Sequence, residues 1–256
     1  MKLYDLKYIL LLYGFCACSE NEYQQSQNLP ESPYETVGRL HNEGLDYVFD
    51  ELVKSRTLTR SEGKPEIEPC EILELCSDFV KENVYSDFKR VTTKSDNYDM
   101  DHQKLQFDFS ERQNYYVERL KKILECAKPG FVEDVVKNIE KLEHEMLNDE
   151  ELPKNECEPL LYGMVTCKYS ARYWVENYER WMIELKGVDV SIGVLTKTNS
   201  EYTVSPSWWD KYGHIVAADG WWAMQGFLQS GVTGIPWYII GMTVGQGIAG
   251  SVLVHL

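Results

Sequence analysis

Histidines and carboxylates, the side chains best suited to acid–base or metal chemistry, gather at four places in this 256-residue chain. His41 lies near Glu43 and Asp46, which on a helix would offer an imidazole and two carboxylates. Only residues three or four apart share a helical face, so His41 and Glu43 diverge. His144-Glu145 opens like the zinc-protease pattern H-E-x-x-H, but position 148 is Asn and the second ligand is missing. Asp96, Asp99, Asp101 and His102 alternate in a polar stretch. Calcium wants about six to eight oxygens, and the glycine and terminal glutamate of an EF-hand are not in place. Trp208-Trp209 and Trp221-Trp222 flank Asp210, His214 and Asp219, which suits either an aromatic pocket for a sugar or peptide or packing at a helical corner. No G-x-S-x-G elbow occurs, and no glycine loop follows a strand to cradle phosphate. The sequence therefore assigns no catalytic residue, no metal ligand and no cofactor.

Helices must position whatever these residues do. Helical spacing of apolar residues predicts five helices, over about 32–54, 68–88, 110–127, 131–147 and 160–186. Ser32, Pro33 and Glu35 form a start signal for the first, and Pro129-Gly130 stops the third. Gly38 and Gly44 inside the first helix cost about 1 kcal/mol each relative to Ala and point to close packing. Residues 149–158 read as a loop punctuated by Pro153 and Pro159. Tyr169, Tyr173, Trp174, Tyr178 and Trp181 make the fifth helix aromatic, as core and helix-contact residues. Val188, Val190, Ile192 and Val194 alternate strictly, which fits a short hairpin or an extended loop near 188–204.

The C-terminus breaks the pattern. No Asp, Glu, Lys or Arg occurs from 221 to 254, in a chain otherwise one-quarter charged. Pro236 divides this region into two helical pieces, over about 207–229 and 236–254. Gly241, Gly245 and Ala249 recur every four residues, putting small side chains on one helix face where another helix can approach closely. Three readings follow: a hairpin buried in the bundle, a segment that enters a bilayer, or a detachable peptide-toxin-like module, whose composition resembles the tails of some peptide bacteriocins. The expected fold is all-α, a helical bundle of about five to seven helices.

Composition narrows the partners. Lys and Arg total 26 against 41 Asp and Glu, a net charge of −15. Phosphate binding needs clustered cations, so nucleic acid is excluded as a general partner. Cys70, Cys76, Cys126, Cys157 and Cys167 follow the N-terminal region. Cys70 and Cys76 point to different helix faces, Cys157 with Cys167 is the easiest local disulfide, and all five can equally serve as small buried apolar residues.

Residues 8–19, YILLLYGFCACS, follow Lys2 and Lys7 and end an apolar run on a small residue and a cysteine. The run is too short to span a core of about 30 Å. It resembles the bacterial lipoprotein signal, and the resemblance implies cleavage before Cys18 and lipidation of Cys18, after Ala17. The acidic cluster Glu20 and Glu22 resembles the sorting signal of surface-exposed outer-membrane lipoproteins. Together with the 33–48 helix and the glycine-rich ending, the segment is weakly similar to a group of exported proteins of anaerobic gut bacteria, which implies no activity.

The expected organisation is a signal peptide over 1–17, a lipid-anchored tether over 18–31, a helical domain over 32–186, a linker or short hairpin over 187–206 and a glycine-rich helical hairpin over 207–256. The expected function is a non-enzymatic envelope lipoprotein, membrane-bound through its anchor. Its C-terminal hairpin would serve packing, self-association, contact with a protein partner or membrane contact. An antagonistic protein whose tail perturbs membranes is the alternative, and an unrecognised hydrolase stands third.

Overall fold

A computed structural model describes residues 33–58, 67–86, 109–128, 131–187, 207–230 and 236–255, all within the compact unit Ser32–Leu256. Cys18, the signal and tether, the Asp96–Asp101 acidic stretch with His102, and the alternating valines lie outside the described residues. Among the described residues there are seven α-helices and no strand, an all-α bundle. They are α1 (Pro33–Leu58), α2 (Pro69–Asn83), α3 (Glu111–Glu125), α4 (Val132–Leu147), α5 (Lys154–Trp181), α6 (His214–Ser230) and α7 (Pro236–His255). A π-helical turn, Met182–Lys186, prolongs α5, and another, Trp209–Gly213, leads into α6.

Local chemistry accounts plainly for the start of α3. Ser110 and Gln113 close a capping box at the start of α3: the Gln113 N–H donates to Ser110 Oγ at 3.2 Å, and the Ser110 N–H donates to Gln113 Oε1 at 2.9 Å. The apolar stripe of α4, Val135, Val136, Ile139, Leu142 and Met146, is buried as a 3.6-residue period requires. α1 runs four residues past its expected end, to Leu58, and α2 stops at Asn83 rather than 88.

The larger correction is at α5, which starts at Lys154 and not near 160. Pro153 is the N-cap and Pro159 lies inside the helix, in its second turn, where it removes the bond back to the Asn155 carbonyl and crowds that oxygen. That places Cys157 and Cys167 on one helix, ten residues and about 15 Å apart, well beyond the reach of a disulfide. The two do not bridge each other, and Cys70, Cys76, Cys126 and Cys167 are free thiols, with Cys76 and Cys167 buried.

α6, whose one acidic residue is Asp219, and the uncharged α7 form the centre of the bundle. α6 and α7 run antiparallel, with Gly226 against Met242 and Asp219 against Ser251. α1 and α2 cover α7, α5 covers α6, and the α3–α4 pair lies outside α5. α7 is long and apolar enough to cross a bilayer, yet 72% of its most apolar window is buried inside this chain. Gly241, Gly245 and Ala249 are buried with it. Gly163 of α5 and Gly220 of α6 meet face to face, each glycine's missing Cβ lying 2.9 Å from the other's carbonyl oxygen. Gly44 packs on Ile248 and Phe79, and Gly38 on Tyr169, so both α1 glycines serve helix contact.

Candidate functional site

One carboxylate sits at the meeting point of four helices. Asp219, in the second turn of α6, is fully buried, as are His41 of α1, Ser170 and Trp174 of α5, and Ser251 of α7. Ser170 Oγ donates to Asp219 Oδ2 and Ser251 Oγ donates to Oδ1. The Trp174 indole N–H lies 3.2 Å from Asp219 Oδ2 and 3.0 Å from Ser251 Oγ, a bifurcated donor that joins the two. Ser170 and Trp174 are four apart on α5, so both reach the same point. The carboxylate thus accepts three hydrogen bonds, the condition under which an acidic group can occupy a dry interior.

His41 completes the cluster. The Asn42 amide nitrogen donates to the Tyr169 carbonyl at 3.1 Å, which turns Asn42 Oδ1 toward His41 Nδ1, also at 3.1 Å. An amide oxygen only accepts, so Nδ1 carries the proton. Nε2 then faces Asp219 Oδ2 at 3.6 Å, beyond hydrogen-bond distance. Gly247 makes room for the ring, its missing Cβ lying 3.1 Å from His41 Cδ2.

Serine, histidine and aspartate are therefore together, but in an order unsuited to nucleophilic catalysis. In a triad the imidazole lies between hydroxyl and carboxylate, so that it can take the hydroxyl proton. Here both serines donate to the aspartate itself. Every member has zero exposure, so no substrate reaches them. What the arrangement can do is hold α1, α5, α6 and α7 in one register.

The residues singled out from the sequence are dispersed. Glu43 is exposed and paired with Arg39 at 2.7 Å, while Asp46 accepts from the Tyr173 hydroxyl at 3.1 Å and lies 3.4 Å from Arg180. His144 is exposed on α4, with Asn148 across one turn. Asp210 caps its own turn through Ser207. Trp208 and Trp222 are buried, and Trp221 packs edge-on against Phe109 at 6.1 Å, which is corner packing rather than a ligand cage. Of that group only Asp219 belongs to the hub. Among the described residues no group of three or more metal-binding side chains could hold an ion.

Two further clusters were not legible from spacing. Lys168 of α5 is buried between Glu143 at 2.9 Å and Glu35 at 3.4 Å. Burial draws its ammonium pKa down, but the two carboxylates more than offset this and hold it above the ordinary lysine value. Burial raises the Glu143 carboxyl, with Lys168 opposing. In a part-buried cluster of α3 and the turn after α4, hydrogen bonds from Arg112 and then Tyr116 lower Asp149 to about 2. A cleft of ≈ 540 Å³ lies between the adjoining ends of α3 and α4, lined by Cys126, Phe131, Lys122 and Lys128 among others.

His255, near the end of α7, is enclosed by the rings of Trp174, Tyr178 and Trp181 at 4.9, 5.3 and 5.7 Å. Burial, followed by Lys186 and His214, lowers its pKa to about 3. The unfolded chain binds this proton near pH 6.5 and the folded chain does not, so the stabilisation is complete above that pH and is lost as pH falls toward 3. Wild type should therefore lose up to about 1.4 kcal/mol more per pH unit than His255→Phe between pH 6 and 4.5. Urea unfolding midpoints across that range measure the difference, and parallel pH profiles for the two proteins would refute it.

Together these features define the class: an all-α bundle assembled around an apolar helical hairpin, with its polar hub at Asp219 sealed from solvent. Comparison of the chain with protein-family models, with curated proteins and with solved structures finds no match.

Proposed function

We propose that this chain is a non-enzymatic, lipid-anchored protein of the bacterial cell envelope, tethered through Cys18 and carried by residues 18–31 at the outer membrane surface. The supporting observation in the folded part is the placement of the apolar hairpin: α6 and α7 are the centre of the bundle and not a free tail. A segment that organises the core is suited to support a surface for association, whereas a detachable membrane-active module would have to be pulled out of its own fold. The sealed state of the Asp219 hub supports a structural rather than catalytic use of this Ser–His–Asp grouping.

Metabolic labelling tests the anchor. Cells expressing the full chain with a palmitate analogue should incorporate label into the wild type, found in the membrane fraction, and none into Cys18→Ser. Unlabelled protein in the soluble fraction of wild-type cells would overturn the proposal.

A further inference from the structure

The α3–α4 pair is pinned at one end and open at the other. Toward the start of α3, Arg112 lies 2.5 Å from Asp149, and the Tyr116 hydroxyl donates to the same carboxylate at 2.7 Å. Further along, Arg119 lies 2.5 Å from Glu145. Lys122 follows Arg119 on that face of α3. Because the two helices are antiparallel, it meets the earlier part of α4, where Asn138 and not an acid lines the gap. No ion pair among the described residues closes the pair there, and the cleft of ≈ 540 Å³ opens. All of its lining residues lie among those described.

The walls of the cleft have two characters. Val135 is buried at its base, Ile123 and Ala127 are half-buried, and Phe131, at the start of α4, is 55% exposed. Folding has left that ring uncovered. Lys122 and Lys128 stand over this apolar surface, and neither takes part in an ion pair among the described residues. With Arg119 they set three cations against a single acid, Asp134. A chain of net charge −15 thus carries a locally positive recess with an apolar base. Its volume falls within the range of about 300–1,000 Å³ usual for small-molecule sites.

We propose that this cleft binds a single-chain fatty acid, its tail on Ile123, Ala127, Phe131 and Val135 and its carboxylate between Lys122 and Lys128. The tail takes the Phe131 ring out of water, which is favourable in proportion to the area covered. The aliphatic stems of the two lysines extend the apolar surface while their ammonium groups meet the head group. A neutral lipid would leave both charges unused, and a cationic amphiphile would be repelled by them. Two lysines are too few for a nucleic acid, which the overall charge also repels. The site is separate from the anchor proposed at Cys18, and neither depends on the other.

Dodecanoate below its micelle concentration is the probe, added to the full chain carrying Cys18→Ser. Cys126 lines the cleft with an exposed thiol, and Cys70, on α2, is exposed outside it. Iodoacetamide alkylation, read by peptide mass spectrometry, should slow at Cys126 and stay unchanged at Cys70. Calorimetric titration should give a Kd that Lys122→Glu with Lys128→Glu raises by about tenfold or more. Dodecanol and dodecyltrimethylammonium should bind more weakly than dodecanoate by a similar factor. Phe131→Leu should retain binding and Phe131→Asp should lose it. Aspartate is a favoured residue at this N-cap, so the melting temperature of Phe131→Asp should not fall and the loss cannot be charged to unfolding. Equal slowing at Cys70 and Cys126 would overturn the proposal. So would an unchanged Kd in the double lysine variant or in Phe131→Asp, or dodecanol binding as tightly as dodecanoate.

Discussion

Replacing Asp219 with Ala is expected to bring the protein to the edge of unfolding. The Ser170 and Ser251 hydroxyls would lose their acceptor at zero exposure, Trp174 would keep only Ser251 Oγ, and His41 would be left beside the gap. A stranded buried polar group costs about 1–3 kcal/mol, and two hydroxyls are stranded here. Against a total stability of about 5–15 kcal/mol, this is the largest effect a single side chain of the hub can have. Asp219→Asn keeps the shape but presents an N–H₂ group to donors on one side, so it should fall between wild type and Ala. Ser170→Ala should cost less in the Asp219→Asn background than in wild type, because the hydroxyl has then already lost a good acceptor. Urea unfolding of the four proteins supplies the cycle. An Asp219→Ala protein within about 1 kcal/mol of wild type would mean that the hub is not what joins the helices.

Gly226→Ala should destabilise nearly as strongly, by a different mechanism. A Cβ there would meet backbone, 2.7 Å from the Met242 carbonyl carbon and 2.8 Å from Thr243 Cα, with Met242 O closer still. Backbone cannot swing aside as a side chain can, so α6 and α7 must move apart along the contact on which the bundle is built. Overpacking of this kind costs about 1–3 kcal/mol and sometimes more. Gly247→Ala on α7 is the internal control. Its nearest contact is the His41 ring at 3.1 Å, and a shift of a few tenths of an ångström relieves it. A helix-propensity gain of about 1 kcal/mol over Gly works in the other direction, leaving a net change within about 1 kcal/mol of zero. Thermal melts of the two variants should differ by several degrees, with Gly226→Ala the lower. Equal melting temperatures would show that the α6–α7 approach is not set by Gly226.

Much of the framework was readable because it depends on neighbours in sequence. The apolar periodicity of α1 to α4 foretold their buried faces. The Ser110–Gln113 spacing carried a capping-box signal that the third helix boundary, placed near 110, left unused. Pro159 misled because a proline near a helix start reads like one between helices. Only the packing of α5 against α1 and α6 shows that the first turn belongs to it.

The hub was not readable in the same way. His41, Ser170, Trp174, Asp219 and Ser251 span 210 positions, and only Ser170 with Trp174 obeys a local spacing rule. Its traces in the sequence are His41, singled out there beside carboxylates that lie elsewhere, and Asp219, an acid at the threshold of the long uncharged stretch, where burial without partners would be costly. Sequence by itself determined that this chain makes amphipathic helices and carries one hairpin's worth of uncharged residues, since those properties follow from the order and polarity of adjacent side chains. That the hairpin lies inside, that its glycines let backbones touch and that five distant residues share one carboxylate were decided by the tertiary structure. Those outcomes depend on which helix faces meet, and no local rule encodes the meeting.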